Sequence, residues 1–168
     1  TQKYLEKYDA PAAILLASIP IAGAIPFLLR TFRFLHHAPL APLRMLFTLR
    51  AYPLVRTPEL AKLLFFSEAM PLEEIKSFHP QLDDEAIRII PESSIIARAN
   101  PKKVKPIKML VIAAENDQVF TLKEQHHLAK AYGTEALVMP NIAHDAMLDI
   151  GWEQVADRML GWLDEINI

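Results

Sequence analysis

The sequence predicts an α/β fold in which a parallel sheet of three strands carries a helical insertion. Three short, continuous apolar runs at residues 12–18, 107–114 and 135–140 are typical of strands that are buried on both faces. Helical segments separate these runs, and strands that alternate with helices indicate a parallel sheet with right-handed crossovers. The chain has 168 residues, 52% of them hydrophobic, which is enough for one domain with a real core and excludes intrinsic disorder.

The composition excludes several classes of function. The formal net charge is −2, whereas a general nucleic-acid binder is expected to carry a basic excess, so we expect no nucleic-acid partner. The absence of cysteine excludes a disulfide scaffold, a thiolate metal site and a cysteine nucleophile. The chain has only 4 glycines, which argues against a glycine-rich loop that cradles phosphate.

The amino-terminal segment predicts a short helix and the first strand. Residues 2–8 are rich in helix formers and end before Pro11, and the apolar run 12–18 then predicts a strand. The uncharged stretch 10–29 is long enough to cross a membrane, but three prolines interrupt it. We therefore favour a buried strand, followed by the entry into a helical segment, over a transmembrane span.

Residues 21–101 predict an all-helical insertion. Prolines divide this block into short pieces, and residues 71–74 have the pattern of a helix start, with acids in the first turn. No acidic residue lies between Asp9 and Glu59, whereas acids predominate after Glu59. The gap between these two acids contains five arginines: Arg30, Arg33, Arg44, Arg50 and Arg56.

The carboxyl-terminal part predicts two more strands and two more helices. The strand 107–114 ends at a polar cluster, and Thr121 and Glu124 form a capping box that opens a helix. The strand 135–140 leads through a loop to the final helix, whose apolar residues lie at helical spacing: Trp152, Val155, Ala156, Met159, Leu160 and Leu163. We expect the first strand, 12–18, to leave an unpaired hydrophobic edge.

Two polar side chains follow predicted strands at the edge where ligands bind in open parallel sheets. Asp117 follows the second strand and His144 follows the third. If the two strands are neighbours, the carboxylate can accept a hydrogen bond from one imidazole nitrogen and leave the other to act as a general base. The alternative is a helix-entry aspartate and a loop histidine that the backbone satisfies, and spacing alone favours neither.

Two stretches resemble the catalytic segments of the α/β-hydrolase superfamily. Residues 108–120 (KMLVIAAENDQVF) resemble the strand and loop that carry its catalytic acid, and residues 138–149 (VMPNIAHDAMLD) resemble its histidine loop. Upstream, residues 1–5 resemble the helix that follows the nucleophile elbow, and residues 12–20 resemble the sixth strand.

The resemblance implies a division of the chain. Residues 1–20 and 102–168 would form the carboxyl-terminal part of the hydrolase core, and residues 21–101 would form a helical cap or lid. The pattern is most similar to small esterases, lysophospholipases and monoacylglycerol lipases that have such a cap.

The chain departs from the family pattern at two glycine positions and at the nucleophile. Ala114 and Ala143 stand where the family usually has glycine. The family places its serine in a Gly-x-Ser-x-Gly turn, and none of the serines here has flanking glycines: Ser18, Ser67, Ser77, Ser93 and Ser94. By resemblance, the nucleophile elbow and the oxyanion-hole loop belong just upstream of Thr1, so we expect the chain alone to be catalytically inactive. Thr1 itself is a poor nucleophile candidate because it leads directly into a helix.

The function implied by the resemblance is serine-dependent hydrolysis of a carboxylic ester with an apolar or lipid-like acyl group. His144 would be the general base and Asp117 would orient it, while the nucleophile would lie outside this chain. The resemblance implies no metal and no organic cofactor. Adjacent histidines point about 100° apart on a helix, so the pairs 36–37 and 126–127 are poor metal clamps.

Two other classes of function stay open. The chain could be an inactive interaction module whose first strand pairs with a partner, with the missing amino-terminal half or with a second copy. The same scaffold could also host dehalogenation or proline-iminopeptidase chemistry. Both tryptophans lie in the last helix, which by resemblance disfavours a halide site of the dehalogenase kind.

The basic and apolar segment 25–56 offers a contact with a membrane surface through four aromatic side chains: Phe27, Phe32, Phe34 and Phe47. We favour the alternative that these rings pack against the sheet or line the acyl pocket. The absence of cysteine is compatible with a cytoplasmic location, which is our expectation.

Overall fold

A computed structural model describes residues 1–82 and 89–168 and places the three predicted strands in one parallel sheet. The strands are β1 (Ala12–Leu16), β2 (Lys108–Ala114) and β3 (Ala136–Met139), in the order β1-β2-β3. The predicted α/β class is confirmed. Since β2 lies in the centre, β1 and β3 form the two edges of this sheet.

The described residues also form α-helices, which in chain order are α1 (Gln2–Leu5), α2 (Ile25–Thr31), α3 (Ala41–Thr48), α4 (Pro58–Phe65), α5 (Leu72–Phe78), α6 (Ile89–Pro91), α7 (Leu122–Ala131) and α8 (Trp152–Glu165). Short 3₁₀ turns cover Phe32–His36, Tyr52–Leu54, His79–Gln81 and Pro101–Lys103, and one π-helical turn covers Glu92–Ile96. None of the helices in the described part of the chain is both long enough and apolar enough to cross a membrane.

The central strand is apolar throughout because helices cover both of its faces. Met109 and Val111 pack on one face with residues of α1 and α7. Leu110 and Ile112 pack on the other face, where they meet Val155 of α8. Every residue of β2 after Lys108 is buried, as expected for a parallel strand that lies between two helical layers.

Some elements are shorter than the sequence predicts. The first helix ends at Leu5 instead of residue 8, and Leu5 is its buried residue. The first strand ends at Leu16 instead of residue 18, because Ala17 takes a positive φ of 39° and turns the backbone out of the ladder. The capping box is confirmed, since Thr121 Oγ1 accepts from the backbone N–H of Glu124 at 3.3 Å.

The insertion between β1 and β2, which we call the cap, has its own hydrophobic core. Met45, Leu64 and Ile75 are among its most buried side chains. Val119 and Phe120 belong to the same cluster, although they come from the loop that follows β2. The cap is therefore packed directly onto the segment that contains Asp117.

The two ends of the cap are joined at Gly23 and Ser94. Ser94 Oγ accepts hydrogen bonds from the backbone N–H groups of Ala24 (2.9 Å) and Ile25 (3.2 Å), and so caps the start of α2. Gly23 has a φ of 78°, and a Cβ added there would overlap both the backbone and the side chain of Ser94. A side chain at position 23 would therefore separate the two ends of the cap.

We expect Gly23→Ala to lower the free energy of unfolding by more than about 2 kcal/mol, because backbone strain at positive φ adds to the overlap with Ser94. Gly133→Ala is the matched control for strain, since its φ is 74° and its added Cβ meets nothing within 4 Å. Gly161→Ala lies within α8 and should stabilise the protein by roughly 1 kcal/mol. Chemical denaturation of the three variants measures the order. Equal losses at positions 23 and 133 would contradict a close contact with Ser94.

Candidate active site

The loop after β2 fixes the Asp117 carboxylate in one orientation. The chain turns directly beyond the strand, where the backbone N–H of Asp117 donates to the carbonyl of Ala114 at 3.3 Å. Asp117 Oδ1 then accepts the backbone N–H groups of Val119 at 2.7 Å and Phe120 at 2.9 Å. The Asp117 side chain is fully buried. Its second oxygen, Oδ2, is left to bind a different partner.

That partner is His144. The Nδ1 atom of His144 lies 3.0 Å from Asp117 Oδ2, and 23% of the histidine side chain remains exposed. An ionised carboxylate can only accept hydrogen bonds, so Nδ1 must carry the proton and donate it. In the neutral ring this leaves the lone pair of Nε2 available to accept a proton.

Two aromatic rings flank the imidazole. The ring centroid of Phe120 lies 5.4 Å from that of His144 in an edge-on arrangement, and the ring centroid of Phe65 lies at 5.7 Å. Phe120 comes from the loop that contains Asp117, whereas Phe65 is the last residue of α4 in the cap. The histidine thus has an apolar border that core and cap provide together.

Backbone pairing continues past the strands and brings the two loops together. The N–H of Glu115 donates to the carbonyl of Met139 at 3.0 Å, and the N–H of Asn116 donates to the carbonyl of Ile142 at 2.8 Å. The side chain of Glu115 also accepts the N–H of Asn141 at 2.9 Å. Asp117 and His144 therefore meet because their strands are neighbours in the sheet.

Asp149 is a structural part of the site that the sequence analysis missed. Its side chain is fully buried and accepts four hydrogen bonds. Two come from Ser67 of the cap, from its N–H at 3.0 Å and its hydroxyl at 2.7 Å. The others come from the N–H groups of Ala143 (2.7 Å) and Ile150 (2.9 Å). The carboxylate therefore ties the histidine loop to the cap. The feature of the sequence that could have identified Asp149 is its position directly after the apolar residues 146–148.

The cap also holds the loop of Asp117 through two arginines of the acid-free segment. Arg30 forms a two-pronged pair with the Glu124 carboxylate, at 3.0 and 2.9 Å, and donates to the carbonyl of Val119 at 2.6 Å. Arg33 donates to the carbonyl of Gln118 at 3.0 Å. Burial alone would raise the pKa of Glu124, but hydrogen bonds from Arg30 and from the capping box outweigh it and hold the pKa below its usual range.

A third carboxyl group stands beside the histidine. Asp145 donates its backbone N–H to the carbonyl of Phe65 at 2.9 Å, which is another link between the cap and the histidine loop. Burial raises the pKa of the Asp145 carboxyl; a positive charge on His144 would lower it in part, and the charge of Asp149 raises it further. Charge on the Asp145 carboxylate therefore disfavours the folded state.

The five serines of the chain make their hydrogen bonds away from His144. Ser67 binds Asp149, Ser94 caps α2, and the hydroxyl of Ser18 accepts a hydrogen bond from Gln2 at 3.0 Å. The remaining two, Ser77 and Ser93, donate to backbone carbonyls within their own turns. In the described ranges none of these hydroxyls is hydrogen-bonded to His144.

The structure also places the histidine pairs and the aromatic residues that the sequence singled out. The adjacent histidines at 36–37 and 126–127 are exposed, and among residues 1–82 and 89–168 no group of three His, Asp or Glu side chains could hold a metal ion. Phe27 packs against the cap core, Phe32 is 41% exposed and Phe47 is 86% exposed. The side chain of Phe34 lies outside the described part.

Comparison with solved structures identifies the fold. One similar structure is that of a protein assigned as a non-heme bromoperoxidase, BpoC, from Mycobacterium tuberculosis H37Rv, with a TM-score of 0.63 and 16% identity. Another is the 2-hydroxy-6-oxo-6-phenylhexa-2,4-dienoate hydrolase BphD from Rhodococcus sp. strain RHA1, with a TM-score of 0.53 and 20% identity. No protein-family model matches the sequence, and no curated protein gives a significant match.

Both of these structures have the α/β-hydrolase fold. The first alignment covers 98% of this chain but 62% of BpoC, and the second covers 88% of this chain but 53% of BphD. The chain thus has the fold of the carboxyl-terminal part of an α/β hydrolase, as its two catalytic-type stretches suggested, and it spans less than two thirds of either protein.

Proposed function

We propose that this chain forms the carboxyl-terminal part of a serine hydrolase that cleaves carboxylic esters with apolar or lipid-like acyl groups. The observation that carries the proposal is the 3.0 Å hydrogen bond between His144 Nδ1 and Asp117 Oδ2 at the carboxyl edge of a parallel sheet. In this role His144 is the general base and then the general acid, and Asp117 holds its ring in the required tautomer.

The proposed reaction has two halves. Nε2 of His144 takes the proton of a serine hydroxyl while that oxygen attacks the ester carbonyl, and the buried Asp117 carboxylate stabilises the imidazolium. The imidazolium then protonates the departing alkoxide, and water repeats the sequence on the acyl-enzyme. The serine and the oxyanion-hole donors come from sequence that the 168 residues do not contain.

The apolar character of the proposed substrate is supported by two aromatic rings beside His144. Phe65 and Phe120 flank the imidazole. A cavity of about 630 Å³ lies between the cap and the loop that carries Asp117, and its walls combine apolar residues such as Leu63 and Phe66 with charged ones such as Lys62 and Glu68. Such a volume falls within the range of small-molecule sites. The activities in the names of the two structural neighbours are those of the neighbours and are not assigned to this chain. Dehalogenase and proline-iminopeptidase chemistry are the alternatives on the same fold.

A non-catalytic interaction module is the second candidate, and the topology of the sheet supports it. Strand β1 pairs with β2 on one side and, within the described residues, has no strand on its other side. An apolar strand with one open edge is suited to pairing with another strand. A second copy of this chain or a longer polypeptide could fill that position.

Labelling with a serine-reactive fluorophosphonate followed by denaturing intact mass distinguishes the two candidates. The protein is isolated from its source cells through a tag after α8 and compared with the 168-residue chain made alone. We expect a single adduct on a polypeptide that contains or copurifies with these residues, and no adduct when His144 is replaced by Gln. We expect none on the isolated chain. Absence of any adduct from the native material, together with concentration-dependent dimerisation, would overturn the hydrolase proposal and favour the module.

A further inference from the structure

A second concave site lies in the cap, separate from the loops of Asp117 and His144. It is a groove of about 730 Å³. Leu40, the N-cap residue of α3, and Arg44 and Thr48 within that helix line the groove, and their spacing of four residues places them on one side of the helix. The connection to α4 and the start of that helix also line the groove, through residues such as Arg56 and Leu60. None of its lining residues comes from the loops after β2 and β3.

The charged residues that line the groove, among those that the structure describes, are all basic. Three arginines line it, Arg44, Arg50 and Arg56, and among the described residues no Asp or Glu does. The segment from residue 10 to residue 58 contains no acid at all. Two other arginines of that segment already donate hydrogen bonds to side chains, Arg30 to Glu124 and Arg33 to Gln118. In contrast, no acidic side chain of the described residues pairs with Arg44 or Arg56. A concave surface with charges of one sign concentrates counter-ions, and guanidinium groups match carboxylate and phosphate in geometry.

The rest of the lining is mainly apolar. Leu40, Pro53 and Leu60 also line the groove, and 55% of the Leu40 surface is exposed. The amino end of α4 also reaches the groove through its N-cap residue Thr57, and the positive end of a helix favours an anion. The volume suits a molecule of drug size, not a polymer. A ligand that matches these walls therefore has an anionic head and an apolar stem.

We propose that this groove binds a single-chain acidic amphiphile. Its phosphate or carboxylate head pairs with Arg44 and Arg56, with Arg50 alongside, and its hydrocarbon chain lies on Leu40 and Leu60. This site is independent of ester hydrolysis, because it uses no residue of the candidate active site. Fatty acids and alkyl phosphates share the required chemistry.

Isothermal titration calorimetry of the full chain tests the site with four probes: octyl phosphate, octanoate, octyl glucoside and inorganic phosphate. We expect one of the two acidic amphiphiles to bind with a stoichiometry of one, and the tighter of the two identifies the head group. Octyl glucoside lacks the charge and inorganic phosphate lacks the chain, so each should bind at least about tenfold more weakly. Equal affinity for inorganic phosphate, or no binding of either acidic amphiphile, would overturn the proposal.

Variants locate the binding to the groove. The double variant R44Q/R56Q should weaken binding of the acidic amphiphile at least about tenfold. R158Q, an exposed arginine of α8, is the matched control and should bind as the original chain does. H144Q should also bind normally, which separates this site from the candidate active site. Circular dichroism verifies that each variant is folded. Unchanged affinity in R44Q/R56Q, or lost affinity in H144Q, would contradict the assignment.

Discussion

Replacement of Asp117 by asparagine is expected to reduce ester hydrolysis by roughly four orders of magnitude in a polypeptide that contains the nucleophile together with these residues. Asparagine can keep the two backbone hydrogen bonds, because its single carbonyl oxygen can take the place of Oδ1 and accept from Val119 and Phe120. Its amide nitrogen then faces His144 Nδ1, where the carboxylate oxygen had been. A donor in that position favours the tautomer with the proton on Nε2, which cannot act as a base.

The same substitution has a readout that needs no nucleophile. In the 168-residue chain, the ring N–H of His144 donated to Asp117 should give a strongly deshielded proton signal that couples to Nδ1 in ¹⁵N-labelled protein. Asp117→Asn should remove this signal with little loss of stability. Asp157→Asn, on the exposed face of α8, is the control and should leave it unchanged. A signal that persists in Asp117→Asn would show that the carboxylate does not hold the ring.

The strands and the two polar residues of the site could be predicted from the sequence because the signals are local. An apolar run buried on both faces is visible in a dozen residues, and a parallel sheet brings the carboxyl ends of neighbouring strands to one edge. Asp117 and His144 lie 27 residues apart, in loops that directly follow paired strands. Spacing alone leaves their pairing open, and the resemblance to the two catalytic segments is what favours it.

The contacts made by the cap could not be predicted in the same way. Asp149 and Ser67 are 82 residues apart, and Arg30 and Glu124 are 94 apart. Each pair depends on how a block of short helices docks on the core, and no repeated pattern in the sequence encodes that docking. The early end of β1 is another such case, because the positive φ of Ala17 is a residue conformation that alanine rarely adopts.

Asp149 is the residue whose removal should cost the most stability. Asp149→Ala leaves the two donors of Ser67 and the N–H of Ala143 without an acceptor in a buried site. Unpaired buried donors and the lost charge-assisted bonds together predict a decrease of roughly 3–5 kcal/mol in the free energy of unfolding. A domain of this kind has about 5–15 kcal/mol in total. Chemical denaturation at neutral pH measures the loss, and Asp157→Asn is the control, expected within about 0.5 kcal/mol of the original chain.

Two milder variants show whether the carboxylate acts through these hydrogen bonds. Asp149→Asn keeps one acceptor oxygen but turns an amide N–H₂ toward donors. Its decrease in the free energy of unfolding should therefore be intermediate. Ser67→Ala removes only the hydroxyl and leaves no backbone N–H unsatisfied, so its loss should be the smallest, about 1 kcal/mol. Since Asp149 binds the N–H of Ala143, next to His144, each loss of anchoring should also broaden the deshielded histidine signal. A destabilised Asp149→Ala chain that keeps a sharp signal would mean that Asp117 alone positions the histidine, and that Asp149 serves the docking of the cap.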